Sequence, residues 1–203
     1  MRILGLVSLA CLVLAPGLAV QAETYDFQII CNGNPVGTHK VVVEEHDGFT
    51  DVSIAIDLSV SLAGLELYRY HHVSHEEWDH GRLFSLESKT NDDGTELHLS
   101  VRRREDGQLD VDGSDGVKIV SSDIIPTSYW NPEMIRRHEV LDSQSGKILK
   151  VTVTPLFEGR YKMTGDLRLQ LDYPQGRWNG VHFSYIGADI DYVPRTPTKI
   201  ASP

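Results

Sequence analysis

Val52-Ser-Ile-Ala-Ile-Asp-Leu-Ser-Val-Ser-Leu62 is the stretch whose reading decides the fold. Val52, Ile54, Ile56, Leu58, Val60 and Leu62 take every second position, with Ser53, Ala55, Asp57, Ser59 and Ser61 between them. Side chains of a strand alternate between two faces, whereas a helical face recurs about every 3.6 residues. The run therefore predicts a long strand with one buried face and one polar face. Ala63-Gly64 supplies the next reversal, and Leu67 to Trp78 returns as a second long strand.

The same rhythm extends outward in both directions. Upstream, Tyr25 to Cys31 alternates, Asn32-Gly33-Asn34 offers the positive-φ positions of a tight hairpin, and Val36 to Glu45 pairs back before Asp47-Gly48 turns the chain. Downstream, Asp79-His80-Gly81, Asp92-Asp93-Gly94, Glu105-Asp106-Gly107, Asp112-Gly113 and Ser145-Gly146 punctuate the β-rich runs. Those runs are Leu83 to Thr90, Leu97 to Arg103, Leu149 to Thr154, Leu167 to Tyr173 and Val181 to Asp191. Asn131-Pro132-Glu133-Met134 breaks the pattern: Asn caps, Pro fits the first helical position and Glu favours the positive end. One short helix is expected over 132–138. Hairpin spacing without βαβ alternation predicts an all-β, mainly antiparallel fold: a strongly curved sheet, as a half-barrel or sandwich.

At the N-terminus, Arg2 precedes an apolar run from Ile3 to Val20, and Pro16-Gly17 breaks it ahead of Val20-Gln21-Ala22. That is the pattern of a cleaved export signal, so residues 1–22 are expected to be a signal peptide and the mature protein to be periplasmic. No second apolar run reaches the length of about 20 residues needed to span a membrane, so no transmembrane segment is expected after cleavage. Residues 23–193 are expected to form a single antiparallel β domain. Pro194, Pro197 and Pro203 mark residues 194–203 as a flexible tail.

The formal net charge is −10, one unit more negative once Arg2 leaves with the leader. Such an excess repels nucleic acid and anionic lipid surfaces, so no nucleic-acid partner is expected. Beyond the leader only Cys31 remains. A lone thiol makes no internal disulfide, and beside Ile29 and Ile30 it reads as a small buried residue.

Several stretches together resemble a family of exported proteobacterial β-sheet proteins of unknown function. They are Tyr25-Asp-Phe with Gly37, Tyr68-x-Tyr70, Glu76-x-Trp78, Gly81-Arg82-Leu83, Asp92-Asp93-Gly94, Tyr129-Trp130-Asn131-Pro132 and Leu141-Asp-Ser-Gln-Ser-Gly146. The Tyr-Trp-Asn-Pro box is the most specific of them. The resemblance covers nearly all of the chain after the leader and implies a distant relationship to the half-barrel lipid and lipoprotein carriers of the cell envelope. It brings no catalytic residues with it, and the sequence leaves any cofactor open.

Tyr68-Arg-Tyr-His-His-Val-Ser-His-Glu-Glu-Trp78 is the chemically richest strand. Alternation puts Tyr68, Tyr70, His72, Ser74, Glu76 and Trp78 on one face, and Leu67, Arg69, His71, Val73, His75 and Glu77 on the other. His72 with Glu76 could set an imidazole beside an orienting carboxylate, which makes Tyr70, His72 and Glu76 the catalytic candidates. The candidate metal ligands are His71, His72, His75 and His98, with His80 as a further contributor. His71 and His75 lie about 13 Å apart at ~3.3 Å per strand residue, no recognised ligand spacing is present, and no metal is expected. Tyr129 and Trp130 could wall the mouth of an apolar cavity, or Trp130 could plug one end of the sheet while Asn131 caps the helix. The plug needs no ligand.

Two further runs invite a function and have simpler readings. Asp110 to Gly116 has calcium-like carboxylates without the EF-hand glutamate and reads as a hairpin turn. Arg102-Arg103-Arg104 reads as a solvated edge.

The expected function is a periplasmic binding or carrier protein for a hydrophobic or amphipathic envelope molecule, with Tyr68, Tyr70, Trp78, Tyr129 and Trp130 as ligand-binding residues. Lipid or lipoprotein is the expected partner. A lipid-directed or metal-assisted enzyme and a non-catalytic envelope assembly protein are the alternatives.

Overall fold

The computed structural model describes residues 21–185 and 187–195. The leader expected over 1–22 lies outside these residues up to residue 20, and the expected tail does so from residue 196. The chain opens with six long strands: β1 (Gln21–Cys31), β2 (Asn34–His46), β3 (Phe49–Leu62), β4 (Leu65–Asp79), β5 (Arg82–Asp92) and β6 (Thr95–Arg103). Five two-residue loops join them, and each has positive φ at both positions: Asn32-Gly33, Asp47-Gly48, Ala63-Gly64, His80-Gly81 and Asp93-Gly94. Positive φ at both central residues is what a tight hairpin of right-twisted strands demands, so these dipeptides fix the register of the whole first half.

Shorter strands follow: β7 (Leu109–Gly113), β8 (Gly116–Val120), β9 (Ile125–Pro126), β10 (Glu139–Leu141), β11 (Ile148–Pro155), β12 (Arg160–Gly165), β13 (Leu169–Asp172), β14 (Gly180–Tyr185) and β15 (Ala188–Pro194). Among the described residues, all fifteen strands form one sheet, which is not closed, in the order β8-β7-β6-β5-β4-β3-β2-β1-β15-β14-β13-β12-β11-β10-β9. The first strand thus pairs with the last, Ile29 lying opposite Tyr192. Neighbours are antiparallel except β9 and β10, which are parallel.

The two arms of the sheet curl until they face each other. Ser88 on β5 donates its hydroxyl to the Ser143 carbonyl in the β10–β11 turn, 55 residues away, at 2.6 Å. The Asp115 amide, in the β7–β8 turn, donates to the Ser145 carbonyl at 2.9 Å. Phe27, Ile29, Val41, Val52, Leu86, Val101, Leu141 and Leu171 fill the space between the arms. Gly37 belongs to this tight assembly, because a Cβ there would lie 2.1 Å from the Asp57 carbonyl oxygen on β3.

Four expectations change. The expected helix is a 3-10 turn over Pro132–Arg136: Asn131 caps it by accepting from the Glu133 amide, but Arg137 is already extended (φ −99°, ψ 149°). So short a segment does not offset the cost of nucleating an α-helix, and β10 begins two residues later. The run from Val181 to Asp191 is a hairpin, β14 to β15, with Gly187 at positive φ. The last strand extends through Pro194, which pairs with Phe27.

The arginine run is not a solvated edge, since β7 and β8 lie beyond β6. Arg103 reaches back to the start of β5, donating to the carbonyls of Leu83 (3.0 Å from Nε) and Arg82 (2.5 Å) and to Asp79 (2.9 Å). Charge-assisted bonds to three acceptors from a largely covered side chain make this a latch across the β4–β5 hairpin. The Arg103→Ala variant is expected to lose about 2 kcal/mol of stability in denaturant titration, against an Arg102→Ala change within ~0.5 kcal/mol.

Candidate functional site

The concave face of β4 carries the site, and its burial changes along the strand. Trp78, Glu76, Ser74 and His72 are buried, whereas Tyr70 and Tyr68 are partly exposed. Its neighbour β3 runs the same way: Val52, Ile54 and Ile56 are buried, and Leu58 and Val60 are partly exposed. Phe183 and Ile190 are likewise half-covered on the facing strands. Burial is greatest at the Trp78 end and falls toward the β3–β4 hairpin, where Leu65, Leu67 and, on β14, Tyr185 are exposed.

The filled end is built around Glu76. Its carboxylate Oε2 accepts from the indole N–H of Trp78 at 2.8 Å and of Trp130 at 2.9 Å, and the two indoles meet edge to face at 5.5 Å. Trp130 gets there through a tight three-residue turn: its amide donates to the Ser128 carbonyl at 2.9 Å, and Tyr129 between them has φ +65°. Such a conformation is strained for a bulky aromatic. The Tyr173 hydroxyl donates to the Tyr129 carbonyl at 2.5 Å and holds the turn.

Burial pushes the Glu76 carboxyl up, opposed by the Trp130 and Trp78 bonds and by nearby Ser128. Glu76 Oε1 and Ser128 Oγ nonetheless lack hydrogen bonds of good geometry, as does Ser74 Oγ. Trp130 is therefore a plug, and the ligand-wall role expected of Trp78 and Trp130 falls at the closed end of the interior.

Beside the opening lies a second group, uncharged but rich in donors and acceptors. His72 Nδ1 is 2.7 Å from Thr90 Oγ1, and its ring stacks on Tyr70 at 6.4 Å. One strand away, Ile56 lies opposite His72 on one side and His39 on the other. His39 is nested against Trp178 (5.2 Å), Tyr192 (5.4 Å) and Phe27 (6.4 Å). It is 1 % exposed, yet neither ring nitrogen has a hydrogen-bond partner among the described residues.

Burial, with a smaller repulsion from His72, lowers His39 to about 3. Burial, with repulsion from His71, lowers His72 to about 4. Burial holds the hydroxyls of Tyr70, Tyr129 and Tyr192 above the ordinary phenol range, and in Tyr70 and Tyr129 the neighbouring phenols add to it. No Lys or Arg is among the buried polar residues of the described chain. At neutral pH this wall can donate and accept hydrogen bonds but offers no ion pair to an anion.

The catalytic candidates share a face without forming a unit. His72 bonds Thr90 and Glu76 bonds two indoles, so the carboxylate does not orient the imidazole. The metal candidates scatter: His71 faces outward against Asp57 (2.6 Å), His72 is buried inside, and His98, on β6, lies 3.2 Å from Ser114 Oγ in the β7–β8 turn. His75 alone joins a ligand-like group, with Asp51 and Glu77 on the convex face. Cys31 is half-buried and free.

Sequence reasoning passed over His39, Trp178 and Tyr192. The parity of β2 carried the signal for His39, since Val41 and Val43 two and four positions on are buried. Reading Val181 to Asp191 as one β-rich run, ending a residue short, hid Tyr192.

No curated protein and no solved structure matches the chain. What covers this geometry is a single pattern, matching residues 27–195, and by it the chain belongs to the family described as domain of unknown function DUF6134.

Proposed function

We propose that this is an exported, periplasmic binding protein that carries an amphipathic envelope molecule in the open end of its curled sheet. The apolar part of the ligand lies along Leu58, Val60, Tyr70, Phe183 and Ile190, and its polar end meets His39, His72 and Tyr192. One observation carries the reading: His39 is buried with both ring nitrogens unpartnered among the described residues, near half-covered apolar side chains. A buried polar group without a partner costs about 1–3 kcal/mol, so its retention favours a role that folding alone does not supply. The half-covered apolar residues of the mouth give the surrounding apolar wall such sites need. The export pattern ahead of residue 23 supports the compartment.

The alternatives draw less support. An enzyme using His72 and Glu76 would need the two in contact, and each is bonded elsewhere. An assembly partner adding a strand would meet β8 at one edge, where Val117 and Ile119 are exposed, but at five residues that strand offers only a short ladder.

The test is native mass spectrometry of the mature protein purified from its own periplasm, with organic extraction of the same sample. The expected result is one lipid-sized adduct per chain, absent from Leu58→Glu, which places a charge in the mouth. A protein that shows only its bare mass and takes up no added monoacylglycerol or fatty alcohol would overturn the reading.

A further inference from the structure

The convex face of the sheet carries a second constellation, unconnected with the interior. Asp51 on β3 lies directly opposite Glu77 on β4, and His75 shares the face of Glu77 two residues earlier, opposite Ser53. One ligand atom from each of the three lies within 4.8 Å of the others. His75 Nε2 is 3.9 Å from Asp51 Oδ1, and from β2 His46 Nε2 approaches the other oxygen, Oδ2, at 3.6 Å. We infer that His75, Asp51 and Glu77 form a binding site for a zinc-like divalent cation, with His46 or water completing the coordination.

The donor chemistry selects the class of ion. Imidazole nitrogen with two carboxylates suits zinc and its borderline neighbours, whereas calcium takes six to eight oxygen donors and magnesium prefers oxygen and water. Every pair of donor atoms lies within 4.8 Å, so the closing required is modest. Bonds of about 2.0–2.1 Å in a tetrahedron put donor atoms roughly 3.4 Å apart, so the 3.9 Å between His75 and Asp51 closes by about 0.5 Å. Side-chain rotation supplies that, because His75 is exposed and the other two are partly so.

The backbone under the group is regular antiparallel ladder from Asp51 through Ser53 and from His75 through Glu77, so the three positions are held in register. A second layer already orients Glu77: Ser85 donates its hydroxyl to Oε2, and Arg102 approaches the same oxygen at 4.0 Å. Oε1 is left for a cation. Outer-layer partners of this kind fix ligand orientation in metal sites. The convex face is separated from the interior by the sheet itself, so cation binding and cargo binding are independent.

The experiment uses the mature chain without a histidine tag, in metal-free buffer, titrated with ZnCl2 by calorimetry. The expected result is one zinc bound per chain, with affinity lowered at least about tenfold in His75→Ala and in Asp51→Asn. His71→Ala, on the same face but paired with Asp57, is expected to bind as the wild type does. The substituted side chains stand at a solvent-facing surface, and unchanged far-ultraviolet circular dichroism separates loss of the site from loss of the fold. Absence of stoichiometric binding, or His75→Ala and Asp51→Asn binding as tightly as the wild type, overturns the inference.

Discussion

The His39→Phe variant is expected to be more stable than the wild type at neutral pH, to gain a further margin in acid, and to lose its cargo. Phenylalanine matches the outline of imidazole within the aromatic nest of Phe27, Trp178 and Tyr192, and no hydrogen bond is lost because neither nitrogen has one. Removing the unpartnered polar atoms is expected to raise stability by about 1–3 kcal/mol at pH 7.

The acid margin follows from proton linkage. His39 sits at about 3 in the folded protein against 6.5 when unfolded, so below 6.5 the unfolded state binds the proton and the folded state does not. Its contribution is intact above 6.5 and drains away as pH falls toward about 3, amounting to about 2 kcal/mol between pH 7 and pH 5. His72, lowered to about 4, adds a similar loss in the same window. Glu76, raised by burial, works with the opposite sign there, so the informative quantity is the difference between variant and wild type.

Urea unfolding at pH 7 and pH 5 measures that difference, and native mass spectrometry measures the cargo. A variant that is stabler and still loaded would show that His39 is a packing residue with no part in binding. A variant that is stabler and empty has the trade-off expected of a residue kept for function at the expense of stability.

The sequence makes the first half of this fold easy to read, and the reason is physical. In β3 and β4 a strict period of two coincides with one buried face, and each hairpin loop ends in Gly, preceded in four of five loops by Asn, Asp or His, which tolerate positive φ, so alternation and turn chemistry give the same register. The second half is written in strands of two to eight residues, too short for alternation to stand out. There β10 and β12 are only three and six residues long and β14 turns into β15 within one apolar run, so the pairing is local but too few residues show the period.

The same contrast holds for the candidate site. The face of Tyr70, His72 and Glu76 could be read from parity alone. What His72 and Glu76 bond could not, because Thr90 arrives from β5 and Trp130 from the turn at Tyr129. The grouping of Asp51 with His75 and Glu77 depends on a cross-strand register that only the folded sheet supplies.

Replacing Glu76 with alanine is expected to cost at least about 4 kcal/mol, whereas glutamine is expected to stay within ~1 kcal/mol of the wild type. Alanine strips the acceptor from two indole N–H groups at once, each a loss of about 1–3 kcal/mol when buried, and leaves a hole beside Trp78, which is 2 % exposed. Glutamine keeps one carbonyl oxygen in the place of Oε2 and turns its amide toward Ser128 Oγ, which lacks a partner.

The coupling between carboxylate and plug is separable from the cavity by a double-mutant cycle with Trp130→Phe, which removes one donor and keeps the ring. Glu76→Ala and Trp130→Phe share one bond, so their combined loss should fall short of the sum of the single losses by about 1–2 kcal/mol. Unfolding followed by tryptophan fluorescence supplies all four stabilities, since Trp78 and Trp178 remain as reporters in every variant. Strict additivity would mean that Trp130 is held by packing alone. A coupled loss would make Glu76 the post that fixes the Ser128–Trp130 turn, and through Tyr129 the inner wall of the cargo site.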